Sequence, residues 1–112
     1  MTALLVCTDL LFASRVQGTA AAAGCELQML AGGSLAKLEP AADCSLAIID
    51  LTEITGDVAA AVALIKERCP QARLVAFGSH VDVVKLNAAK TAGCDDVWAR
   101  GMFVQQLPTL FG

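Results

Sequence analysis

The stretch Ser45–Leu51, SLAIIDL, decides the fold of this chain. Its centre, Leu46-Ala47-Ile48-Ile49, is apolar at every position and stops at the charged Asp50. A strand with one wet face alternates apolar and polar residues. A short run that is apolar throughout and bounded by polar residues suits a parallel strand covered on both faces. Similar runs lie on either side. Ala3–Cys7 (ALLVC) ends in Thr8-Asp9, Leu74–Phe77 (LVAF) ends in Gly78-Ser79, and the shorter Val97–Ala99 ends in Arg100. Glu26–Leu30 (ELQML) alternates instead, which places it at a sheet edge.

The segments between these runs carry helical spacing. Phe12, Val16, Ala20 and Ala23 recur on one face, and Gly24 is suited to the left-handed position that ends a helix. Gly18 inside this helix costs about 1 kcal/mol relative to alanine and predicts close packing there. Val58, Val62, Ile65 and Cys69 form a second stripe, opened by Asp57 and stopped by Pro70. Val81, Val84, Ala88 and Ala92 form a third, closed by Gly93, and Ser79 with Asp82 resembles a capping box. Ser34–Leu38 predicts at most a short helix before Pro40. A last helix follows Gly101. Pro108 fits only a first turn, so this helix is expected to be short and to leave apolar surface open near the last strand.

The resulting alternation of strands and helices predicts an α/β fold: one domain over residues 1–112, a three-layer sandwich around a five-stranded parallel sheet with strand order 2-1-3-4-5. Such sheets collect their chemistry at the carboxyl ends of strands 1 and 3, which end in Asp9 and Asp50.

Composition narrows the function. With 112 residues, 56% hydrophobic and 17% charged, the chain reads as globular and not disordered. The net charge of −3 and the scattered Lys and Arg residues speak against nucleic acid as a partner. No apolar stretch reaches the ~20 residues a membrane helix needs. Met1–Cys7 lacks the basic start of a signal peptide, so a cytoplasmic location is expected. The five cysteines have no zinc-knuckle spacing and read as buried, reduced thiols. His80, the one histidine, reads as a surface residue at a helix start. Cys7 and Arg15 are separated by seven residues where a phosphatase loop has five, with Asp9 between them to repel an anion. No glycine-rich nucleotide loop is present.

Two carboxylates at neighbouring strand ends can hold one Mg²⁺. An aspartate beside such an ion can accept a phosphoryl group, because the metal offsets the developing charge. Arg100 would supply a cation from the last strand, and Ser79 a hydroxyl. Each residue also has a plainer role: Asp9 and Asp50 as capping acids, Ser79 as a cap, and Arg100 as the partner that neutralises the two acids.

This pattern resembles the receiver domain of two-component response regulators, over nearly the whole chain. SLAIIDL matches the family's acceptor strand and puts Asp50 at the phosphoacceptor position. Gly93–Gly101 (GCDDVWARG) is similar to the segment entering its fifth strand. The departures fall on the phosphorylation machinery. Thr8-Asp9 stands where the family has two acids, and Gly78 where it has a hydroxyl, with Ser79 one step late. Arg100-Gly101 replaces Lys-Pro, Val97 replaces a common switch aromatic, and the proline usual after the acceptor is missing from Leu51–Ile54. Each lost electrostatic contact to a transferring group costs about 3 kcal/mol, so phosphotransfer is expected to be slow.

The resemblance therefore implies a degenerate pseudo-receiver: a signalling module that binds protein and is not an enzyme. Mg²⁺ would be its only metal, through Asp9 and Asp50, and no other cofactor is expected. Its switch positions are Ser79 and Arg100. Its partner, another protein or a second copy in a homodimer, would meet the face of helix 4, strand 5 and helix 5, including Val97, Met102 and Phe103. A working Mg²⁺-dependent receiver phosphorylated on Asp50 is the alternative. A small-molecule binder using the same crevice is the third reading.

Overall fold

The computed structural model describes residues 1–111. The chain runs β1 (Thr2–Val6), α1 (Leu10–Ala22), β2 (Glu26–Leu30), a 3-10 helix (Gly32–Lys37), β3 (Cys44–Asp50), a 3-10 turn (Leu51–Glu53), α2 (Val58–Arg68), β4 (Arg73–Gly78), α3 (Val83–Ala92), β5 (Asp96–Ala99) and α4 (Arg100–Leu110). The five strands form one parallel sheet in the order β2-β1-β3-β4-β5. The helices cover both faces, giving the three-layer α/β sandwich that the sequence predicts, with β2 at an edge. The crossover between β2 and β3 carries only the 3-10 helix Gly32–Lys37. The face of helix 4, strand 5 and helix 5 therefore corresponds to α3, β5 and α4.

Alternate residues of the central strands feed two cores. Ala3, Leu5, Ile48, Val75 and Phe77 pack on α1 and α4. Leu4, Val6, Ala47, Ile49 and Ala76 pack on α2, α3 and the 3-10 helix. Both faces of β1, β3 and β4 are buried, which is why their sequences are apolar throughout. The helix starts are fixed locally: Asp9 accepts from the Phe12 amide, Asp57 from Ala59 and Asp82 from Lys85.

Several expectations are corrected. Gly18 is exposed, and a methyl group added there would meet nothing within 4 Å, so no neighbour demands a glycine. Val81 and Val84 are 74% and 81% exposed, whereas Ala88 and Ala92 of the same stripe pack against the second core together with Leu86 and Ala89. Asp82 is itself the N-cap, so the helix begins at Val83 and Val81 lies outside it. Ser79 consequently caps no helix and only accepts weakly from the Val81 amide, 3.4 Å away.

The last helix is not stunted. It begins at Arg100 and runs eleven residues with Pro108 inside its final turns. The missing N–H there leaves one carbonyl of the preceding turn without its helical donor, a cost that docking of the whole helix outweighs. Its inward face is Phe103, Leu107 and Leu110. Phe103 is therefore fully buried rather than part of an interface. Its ring stacks on Phe77 at 4.4 Å and lies 5.4 Å from Phe12. Of the other residues expected on that face, Met102 is exposed and Val97 is half-buried against the second core.

Candidate functional site at the carboxyl end of the sheet

Asp9 and Asp50 approach each other because β1 and β3 are neighbours, with Val6 opposite Ile49. Between their carboxylates lies the guanidinium of Arg100, the first residue of α4. Its Nη1 is 3.7 Å from Asp9 Oδ2 and its Nη2 is 3.6 Å from Asp50 Oδ2. The guanidinium also lies over two rings, 5.0 Å from the Phe12 centroid and 5.6 Å from that of Phe77. Arginine suits this place: its flat cation stacks on aromatic faces while its edge reaches two carboxylates.

Asp50 is only 1% exposed, and its oxygens are engaged. Oδ1 accepts from the Thr52 amide at 3.0 Å and from the Thr52 hydroxyl at 2.6 Å. Oδ2 faces Arg100 and accepts from the Cys7 thiol at 3.5 Å. Burial pushes that thiol up to about 11. The Asp9 backbone amide pulls it down, and the Asp50 carboxylate adds to the rise. Cys7 is thus a protonated donor at neutral pH, not a nucleophilic thiolate.

Two residues at the site escaped the sequence reading. Glu53 accepts from the Thr8 hydroxyl at 2.6 Å and from the Gly32 amide at 3.2 Å, tying the ends of β1, β2 and β3 together. Thr8 stands where a second acid would, and its hydroxyl is committed to Glu53. Lys85, from the first turn of α3, donates to the Leu51 carbonyl at 3.1 Å. Neither residue belongs to a motif, and both partners are distant in sequence.

Ser79 is half-buried and joins none of these contacts. At Gly78, a side chain would begin 3.3 Å from the Leu51 Cβ, so a hydroxyl at that position requires Leu51 to move. His80 is exposed, and all five cysteines are free; four are buried as expected, but Cys94 is only half-buried.

The donor set does not fit Mg²⁺ as it stands. A guanidinium occupies the gap between the two carboxylates, and no group of three or more acidic, His or Cys side chains able to hold a metal occurs among the described residues. Beside Asp9, Arg100, Phe12 and Arg15 lies a shallow cleft of about 270 Å³. No described helix is long and apolar enough to cross a membrane.

No protein-family model matches this chain, and no curated protein does. Solved structures do. A response regulator from Burkholderia pseudomallei, with a phosphorylated aspartic acid, calcium ion and citrate, superposes with a TM-score of 0.78 at 17% identity. The match covers 99% of this chain and 66% of that one, so the chain spans just under two thirds of its length. The receiver domain of a sensor histidine kinase from Pseudomonas aeruginosa PAO1, with magnesium in its active-site cleft, gives 0.72 at 16% identity, covering 99% of this chain and 97% of that one. A putative pilus assembly protein, CpaE, from Burkholderia thailandensis gives 0.73 at 15% identity, covering 97% and 93%. Together with the strand order, these likenesses give the chain the flavodoxin-like fold of receiver domains.

Proposed function

We propose that this chain is a pseudo-receiver: a protein-binding module of the two-component signalling type in which a fixed internal cation replaces metal and phosphate. One observation carries this reading. Arg100 lies between Asp9 and Asp50, while Thr52 and Cys7 take the remaining near contacts of the Asp50 carboxylate. A phosphodonor would have to displace the guanidinium, the thiol or the threonine before reaching an oxygen. One of the two carboxylate charges at this site is already offset by the protein's own cation.

The surface supports binding as the output. Among the described residues, apart from Met1 and Met29, the exposed large apolar side chains lie at or just before the starts of α1, α3 and α4: Leu10, Leu11, Val81, Val83, Val84 and Met102. Helix starts in water favour polar residues, so an apolar rim at one end of the sheet suits contact with protein. Val81, Val84 and Met102 belong to the α3–β5–α4 face, where the partner is another protein or a second copy of this chain.

Incubation with Mg²⁺ and acetyl phosphate, followed by intact-mass analysis, tests the first part. Unmodified protein is expected. A phosphoryl adduct that is cleaved by hydroxylamine or alkali and disappears in Asp50→Asn overturns the proposal and establishes a working receiver instead. For the second part, Val84→Glu and Met102→Glu are expected to abolish self-association in light scattering or capture of a protein partner. Contacts that survive both changes place the interface elsewhere.

A further inference from the structure

A cavity at the amino end of the sheet, opposite Asp50, goes beyond the reading above and stands apart from it. The other crossovers carry helices of ten or more residues, α1, α2 and α3. The β2–β3 crossover has only the six-residue 3-10 helix and then a strap, residues 38–43. A 3-10 helix of that length spans about 12 Å, so the lower part of β1 and β2 is left without a helix on this side. The strap is pinned to α2: the Ala41 amide donates to the Arg68 carbonyl at 2.7 Å, and Arg68 Nε donates to the Leu38 carbonyl at 3.1 Å.

The space left between strap, strands and α2 measures about 230 Å³. Its inner wall is apolar, formed by Leu4, Leu38, Ala41 and Cys69. Burial pushes the Cys69 thiol up to about 11, so this wall is uncharged at neutral pH. The mouth carries Glu26, Gln28 and Asp43, all exposed, and no Lys, Arg or His lines the cavity. Neither Glu26 nor Asp43 forms an ion pair among the described residues.

We propose that this cavity binds a small organic cation, with a short alkyl chain against Leu4 and Leu38 and a primary ammonium at the mouth facing Glu26 and Asp43. The size is compatible: an apolar cavity of about 150 Å³ holds benzene, so this one accommodates roughly six to nine heavy atoms. The carboxylates set the sign of the head group, and the wall sets its apolar tail.

Titration with n-hexylammonium at low salt, followed by amide NMR shifts, is the test, with n-hexanol and hexanoate as matched probes. Saturable shifts centred on Leu4, Gln28 and Ala41 are expected, with the amine bound roughly tenfold tighter than hexanoate, as exposed carboxylates allow. Glu26→Gln with Asp43→Asn, both at exposed positions, should remove that preference while leaving n-hexanol unaffected. Ala41→Leu should fill the space and abolish binding of all three probes. Shifts spread evenly over the acidic surface, equal affinity for amine and hexanoate, or undiminished binding in folded Ala41→Leu would overturn the proposal.

Discussion

Arg100 illustrates how one side chain redefines a site. Its cation faces two acids, only one of them buried, and rests on two aromatic rings. Removing it leaves Asp50 facing Asp9 without compensation. Because Arg100 is 40% exposed and its contacts exceed 3.5 Å, Arg100→Ala is expected to cost about 1–2 kcal/mol, below the 3–5 of a fully buried pair. The same change empties the gap between the carboxylates. Millimolar Mg²⁺ should then raise the melting temperature of Arg100→Ala and leave the unsubstituted protein unchanged. Thermal denaturation with and without Mg²⁺ checks both statements. Gly32 acts through space: a Cβ there would lie 2.8 Å from the Glu53 Cβ and 2.9 Å from its carbonyl carbon. Gly32→Ala should therefore destabilise by about 2 kcal/mol, read from the urea midpoint, because the crowding involves backbone that cannot rotate away.

Among the elements, α4 departs furthest from its sequence expectation. Proline is a strong stop signal in isolation, and Pro108 made the segment read as a short terminal turn. In the folded chain, Phe103, Leu107 and Leu110 are buried on the sheet, and burial of such side chains offsets one absent hydrogen bond. Phe103→Ala should cost about 3–5 kcal/mol, whereas its neighbour Met102→Ala should stay within about 0.5 kcal/mol. Chemical denaturation of the two variants separates core from surface on this helix. In α3, the expected stripe holds only in its later half: Val84 is exposed and Val81 precedes the Asp82 cap, while Ala88 and Ala92 pack on the second core. By contrast, α2 presented a single stripe, and Val58, Val62, Ile65 and Cys69 are all buried as its spacing predicts.

At the scale of the whole molecule, buried and half-buried thiols link stability to pH. Burial raises Cys7, Cys69 and Cys94 to about 11 from an ordinary 9.0. Because the folded state holds these protons more tightly than the unfolded chain, their contribution is intact below about pH 9. It is lost as pH rises through about 11. Urea midpoints should accordingly be level from pH 7 to 8.5 and fall steeply toward pH 10.5. The molecule also separates its ends: the carboxyl end of the sheet carries the charge pair and the apolar rim, while the amino end carries the cavity under the 38–43 strap.

The sequence by itself determined the order of strands and helices, the edge position of β2 and the placement of Asp9 and Asp50 at neighbouring strand ends. The first two follow from local apolar runs, and the third from the five-stranded order 2-1-3-4-5, one of the two common orders of doubly wound sheets. Tertiary structure decided between the two roles open to Arg100, setting it between both acids, and alone showed that Glu53 ties Thr8 to Gly32 and that Phe103 is core. Those outcomes depend on side chains far apart in the chain meeting at fixed distances, and periodicity along one segment carries no information about distance across the fold.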